Sequence, residues 1–195
     1  MSEKRMAGDY EILQALSIGR REIVIGENPL ADLDSRYMCA FCVSDALFDS
    51  YNDVMVSDNY MEILQLFNNR VATATQELSR ESEKSAALDE GLPVQRGYKL
   101  LSADDDLRGK VVVLKPETLK KEYQTAVHQY QLVTGGFGAS PNSRGNACYC
   151  ISLYGGENSR YERYQILGIA EELPHWAEKA LEQVRTEQKK DKGAR

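Results

Sequence analysis

The sequence has no run of apolar residues near the roughly 18 that a membrane-spanning helix requires, and its opening, MSEKRMAGDY, is polar and without an apolar stretch. A secretory signal needs an apolar stretch that this start does not have, so a soluble, cytoplasmic protein is expected. Basic charge is also in short supply: 24 Lys and Arg stand against 30 Asp and Glu, a formal net charge of −6. That balance disfavours a nucleic-acid binder that relies on broad phosphate neutralisation. Acids and bases alternate along most of the chain, so a polyanionic mimic of DNA is not expected either. Only two histidines occur, His128 and His175. The first falls in a predicted helix and the second follows Pro174 at the start of another. Surface or capping roles are expected for both, because no nucleophile and orienting partner can be assembled around them. Cysteine is limited to Cys39, Cys42, Cys148 and Cys150, which a reducing compartment keeps as thiols. Their pairing as Cys-x-x-Cys plus Cys-x-Cys suggests zinc. If the segments are strands, however, Cys39 and Cys42 point to opposite faces, and small apolar core residues are the expectation. No metal and no cofactor are expected, and no catalytic residue is assigned.

What is present reads as alternating strand and helix patterns. Tyr10, Ile12, Leu16 and Ile18 line one side of an extended segment, and the Gly19-Arg20-Arg21 step turns the chain into β-branched Ile23-Val24-Ile25, a hairpin. The runs 37–43 and 51–56 add two more strands. Beyond Ser57 and Asp58, either of which can cap, Tyr60, Ile63, Leu64, Phe67, Val71, Ala74 and Leu78 recur at helical steps and predict a long core-facing helix that frays over 79–87. Residues 88–108, with Gly91, Pro93, Gly97 and the run Asp104-Asp105-Asp106, read as a linker between two units spanning 9–87 and 109–187. The second unit opens with a buried strand at Val111-Val112-Val113-Leu114. A helix follows from Pro116 through Tyr130, then strands at 131–133, 147–154 and 160–168, a final helix from Pro174, and a disordered tail over 188–195. The fold class is therefore α+β: an N-terminal antiparallel sheet with one long helix, followed by a small β-rich unit with two helices.

The most unusual stretch is the loop from Thr134 to Asn146, TGGFGASPNSRGN. Its glycines suggest a phosphate cradle, but no Gly-Lys-Ser/Thr follows and the next element reads as a strand rather than a helix, so a long ordered turn is the simpler reading. Arg144 is the loop's one cation, Asn142 lies beside it, Phe137 sits within the glycines, and Arg160 and Arg163 follow on the next hairpin. A loop displaying Arg and Asn on a β scaffold is a common recognition device, because the guanidinium offers five donors in a fixed fork. Phe137, Asn142, Arg144, Arg160 and Arg163 are the candidate partner-binding residues. The competing expectation is that Arg144 is spent on ordering its own loop.

The segments Arg5-Met-Ala-Gly-Asp-Tyr-Glu-Ile, Thr134 to Cys150 and Leu153-Tyr-Gly-Gly-Glu resemble an uncharacterised family carried by mobile elements of gut Firmicutes, found free-standing or beside helicase-like modules. Small free-standing proteins of that origin include inhibitors of the type II CRISPR effector nuclease, which this chain is similar to in size and charge. The resemblance implies an anti-defence protein that binds the nuclease or its guide RNA complex without chemistry of its own. The alternatives are a nucleic-acid-binding accessory of a conjugative element, stacking bases on Tyr149 or Tyr161, and a metal-dependent or carboxylate enzyme. Pairing of the long helix with its twin in a homodimer is left open.

Overall fold

The computed structural model describes residues 4–32, 34–44, 48–89 and 91–193, and they divide into two compact units, Met1–Glu83 and Lys84–Arg195. No helix among the described residues is long and apolar enough to cross a membrane.

The first unit is a five-stranded antiparallel sheet in sequential order: β1 (Met6–Ala7), β2 (Tyr10–Ile18), β3 (Arg21–Glu27), β4 (Tyr37–Ser44) and β5 (Asp49–Ser57). The β2–β3 hairpin forms as predicted, with Ile18 opposite Arg21, but β2 does not keep one face. The ladder skips a residue between Ile12 and Gln14, leaving Leu13 as a bulge. Because side chains alternate along a strand, one extra residue sends the remainder to the other side. Tyr10 and Ile12 therefore pack with Val24, Met38, Ala40 and Cys42, whereas Ile18 packs on the opposite face with Ile23, Ile25 and Cys39.

That opposite face is covered by helix α1 (Tyr60–Ala86), whose Ile63, Phe67 and Ala74 complete the core at helical spacing. The helix is capped by Asn59 rather than by Ser57 or Asp58, the Met61 amide donating to Asn59 Oδ1 at 3.0 Å. It also runs unbroken through the segment expected to fray. The face without a helix is closed by curvature. Strand β1 at one edge is brought to β5 at the other, where Arg5 pairs with Asp49 at 3.1 Å and the Tyr51 hydroxyl donates to the Met6 carbonyl at 3.3 Å.

The second unit is a six-stranded antiparallel sheet in the order β10-β9-β8-β7-β11-β6. Its strands are β6 (Tyr98–Leu100), β7 (Val111–Leu114), β8 (Tyr130–Gly135), β9 (Ala147–Ser152), β10 (Asn158–Glu162) and β11 (Ile166–Ala170). Central β7 is buried on both faces. Val111 and Val113 meet Tyr130, Leu132 and helix α3 (His175–Gly193), while Val112 and Leu114 meet Val133, Cys148, Cys150 and the loops on the far side.

Residues 88–108 are not a free linker. Val94 and Leu107 are core residues and β6 pairs with β11, so the segment is built into the second unit despite its polar, glycine-containing sequence. The helix expected from Pro116 to Tyr130 is replaced by single turns at Pro116–Thr118, Lys121–Tyr123 and α2 (Ala126–Gln129). Tertiary bonds compete with the helical ladder there: the Ala126 amide donates to the Leu92 carbonyl and the Val127 amide to Asp89, and Gln129, fully buried, accepts from the Val94 amide and donates to the Leu114 carbonyl. The single strand read over 160–168 is two strands, broken by a turn at Arg163–Gln165 that Glu162 and Gln165 cap reciprocally. Helix α3 continues to Gly193 across most of the expected disordered tail, which has helix-forming Gln and Lys and no earlier glycine or proline to stop it. Residues 194 and 195 lie outside the described residues.

Candidate binding surface

The glycine loop is a closed, internally bonded structure. Strand β8 ends at Gly135; Gly136 takes φ 103°, a conformation that side chains with a Cβ resist, and a 3-10 turn over Phe137–Ala139 follows. A Cβ on Gly136 would run into the Ala147 carbonyl, and one on Gly138 into the Asn146 carbonyl, so both glycines are required by the close approach of the loop's two limbs. The loop then docks on the segment before β7: the Leu107 amide donates to the Ala139 carbonyl at 2.8 Å and the Asn142 amide to the Ala103 carbonyl at 2.9 Å.

Arg163 is the hub of this arrangement. Its guanidinium donates to the carbonyls of Gly138 at 2.6 Å, Ser102 and Asp105 each at 2.8 Å, Ala103 at 3.3 Å and Ser140 at 3.4 Å. One planar fork thereby satisfies carbonyls of two loops that have no ladder partner. Of the five residues expected to contact a partner, Arg163 is spent internally. Arg160 pairs with Glu162 at 2.6 Å, and Asn142, at φ 52°, donates to Asp104 Oδ1 at 2.7 Å. Phe137 and Arg144 remain outward: Phe137 is 81% exposed, and Arg144 has no side-chain partner among the described residues. Of the two tyrosines read as stacking residues, Tyr149 is half exposed, opposite Arg160 in the ladder, whereas Tyr161 packs against the core.

The structure adds a feature that sequence reasoning missed. An open groove of about 490 Å³ lies beside the loop, lined by Leu100, Leu101, Lys115, Asn146, Arg163 and Tyr164, among others. Tyr164 was read as part of a continuous strand, where its exposure would have no meaning. The turn that interrupts the strand pushes its ring out to 64% exposure.

The thiols and one of the two imidazoles are buried. All four cysteines are free and buried, with Cys39 and Cys42 on opposite faces of the first sheet as alternation requires. Burial pushes the Cys39 and Cys148 thiols up and the Cys150 thiol to about 12, far from the thiolate that reactivity needs. Among the described residues no group of three or more His, Cys, Asp or Glu is placed to hold a metal ion. His175 is exposed beside Glu178. His128, expected at the surface, is instead buried edge-on between Tyr123 and Tyr154, at 4.8 Å and 5.1 Å between centroids.

Two internal arginine clamps organise the first unit. Arg70 reaches from α1 to the carbonyl and carboxylate of Asp53 at 2.7 Å and 2.9 Å and to the Cys39 carbonyl at 3.1 Å, and lies 4.7 Å from the centre of the Phe41 ring. Its place between Phe67 and Ala74 on the apolar stripe was the available signal. Arg5 joins Glu22 at 2.6 Å and Asp49, and its charge is held more firmly than usual, chiefly by the Glu22 bond.

Comparisons with protein-family models, with curated proteins and with solved structures each found no match.

Proposed function

We propose that the protein is a non-catalytic anti-defence factor whose first unit docks on a basic, nucleic-acid-handling surface of a type II CRISPR effector nuclease or its guide complex. The observation that carries this reading is the distribution of charge between the units. Residues 1–83 hold seven basic and fifteen acidic residues, net −8, whereas residues 84–195 hold seventeen and fifteen, net +2. Along the chain, acids and bases interleave; once the chain is divided at the unit boundary, the net negative charge falls on the first unit alone. Several of its carboxylates are exposed without an ion-pair partner among the described residues, including Asp9, Asp32, Asp34 and Asp58. The channel in which such an effector holds its heteroduplex is positively charged, so an acidic module meets a complementary potential that speeds encounter and fixes orientation. Strand β5 adds an apolar contact: Val54, Met55 and Val56 are each about half exposed at the sheet edge.

The test is cleavage of a guide-matched DNA by the purified effector, titrated with this protein. Dose-dependent loss of cleavage and co-elution with the effector are expected, and combined Asp9→Lys, Asp32→Lys, Asp34→Lys and Asp58→Lys substitution abolishes both. Undiminished cleavage at large molar excess refutes the reading.

A further inference from the structure

We propose that the groove beside the glycine loop is a binding site for single-stranded nucleic acid, with Tyr164 and Phe137 as stacking platforms and Lys115 and Arg144 as backbone contacts. Tyr164 and Lys115 line the groove, and Phe137 and Arg144 belong to the glycine loop that adjoins it at Asn146. Tyr164, Lys115 and Asn146 line the groove together, and Phe137 lies over Gly145, next to Asn146, so closely that a Cβ on Gly145 would approach Phe137 Cβ to 2.6 Å. Arg144 precedes Gly145 in the chain, and Leu100, 67% exposed, also lines the groove.

Charge and chemistry select the occupant. The side chains of Lys115, Asn146, Arg144, Phe137 and Tyr164 have no bonded partner among the described residues, so two cations, one amide and two aromatic faces are all unspent. The Arg163 guanidinium at the groove wall is bonded to carbonyls alone, which leaves its full positive charge without a carboxylate to cancel it. The neighbouring acids largely cancel against their own partners: Asp105 pairs with Lys99 and Asp106 with Arg108, leaving Asp104 on Asn142. Exposed aromatic faces interleaved with free cations are what a flexible phosphate-linked strand requires, since every base presents a π-face and every step a negative charge. A duplex hides its base faces and cannot use the two rings. The Arg163 hub and the tight glycine contacts hold the two walls in place, so little ordering cost is incurred on binding.

Fluorescence anisotropy of the full chain with a labelled oligothymidylate and a labelled unstructured RNA tests this. Both are expected to bind at low salt, with affinity falling as salt rises. Tyr164→Ala weakens binding about tenfold, as loss of one stacked base implies, while Tyr164→Phe, which keeps the ring, retains it. Lys115→Ala reduces the slope of log affinity against log salt by about 0.7. Circular dichroism confirms that the exposed-residue variants are folded, and if one is not, Lys115→Glu and Phe137→Ser test the same groove. No binding by the wild-type chain, equal binding of a duplex, unchanged affinity in the variants, or displacement of the oligonucleotide by an acidic peptide with comparable affinity each overturns the proposal. The inference is independent of the acidic first unit: inhibition of cleavage without oligonucleotide binding removes the groove and leaves the docking reading, and the reverse outcome does the opposite.

Discussion

The guanidinium of Arg70 joins helix α1 to strands β4 and β5. Arg70 is buried on the apolar stripe of α1, where it bonds two backbone carbonyls and braces the Asp53 residue, whose φ of 54° few non-glycine residues adopt. Replacing it with methionine keeps the packing volume and leaves those carbonyls unbonded, so unfolding free energy should fall by about 2–3 kcal/mol in a urea melt. Lysine, which has no planar fork, should rescue less than half of that loss. Titratable groups give a second prediction. Cys39, Cys148, Cys150 and Tyr130 all have folded pKa values above their ordinary ones, with burial the leading cause in each. A raised value means that the neutral form is favoured in the folded state, so their contribution is complete below pH 8 and is lost as pH rises through the range from about 9 toward 12. Stability measured between pH 8 and 11 should therefore fall, and Cys150→Ala should flatten the slope. In the native state none of the thiols should react with a bulky disulfide reagent, and all four should react in denaturant.

At the scale of elements, much was legible in the pattern of residues. The hairpin from Tyr10, the strand at Val111 and the helix from Tyr60 all form where the residue pattern placed them, although β2 changes face at its bulge, because the β-branched runs of β3 and β7 and the helical stripe of α1 are apolar enough to be buried wherever they pair or pack. The misses share a cause: they lie where long-range bonds outweigh local preference. The bulge at Leu13 depends on register with β3, and the helical pattern from Pro116 to Tyr130 is broken by bonds to Leu92 and Asp89 that no local window reveals. The candidate site was visible in part. Phe137 and Arg144 stand outward as a glycine loop suggested, but Arg163 looked like a contact residue only because its five carbonyl partners lie 23 to 61 positions away. Two substitutions probe this arrangement. Gly136→Ala, which forces both a clash and a strained φ, should lower the melting temperature and broaden the amide resonances of 134–146. Arg163→Ala should leave the sheet's hydrogen-exchange protection intact while increasing exchange in both 102–107 and 136–142.

For the whole molecule, division into a net −8 unit and a net +2 unit predicts opposite behaviour on the two kinds of ion exchanger. Expressed separately, residues 1–83 should be retained on an anion exchanger at pH 7.5 to much higher salt than residues 84–195. If the fragments elute together, the surface charge does not follow the sequence count and the docking argument loses its support.

The guanidinium at position 163 has one more implication. A single rigid fork gripping both the 102–105 strip and the 138–140 strip makes them one mechanical part, so displacement of either should be transmitted to the other without any rearrangement of the sheet beneath. Whatever settles against Phe137 will therefore be registered at Ala103 as a change in backbone amide environment.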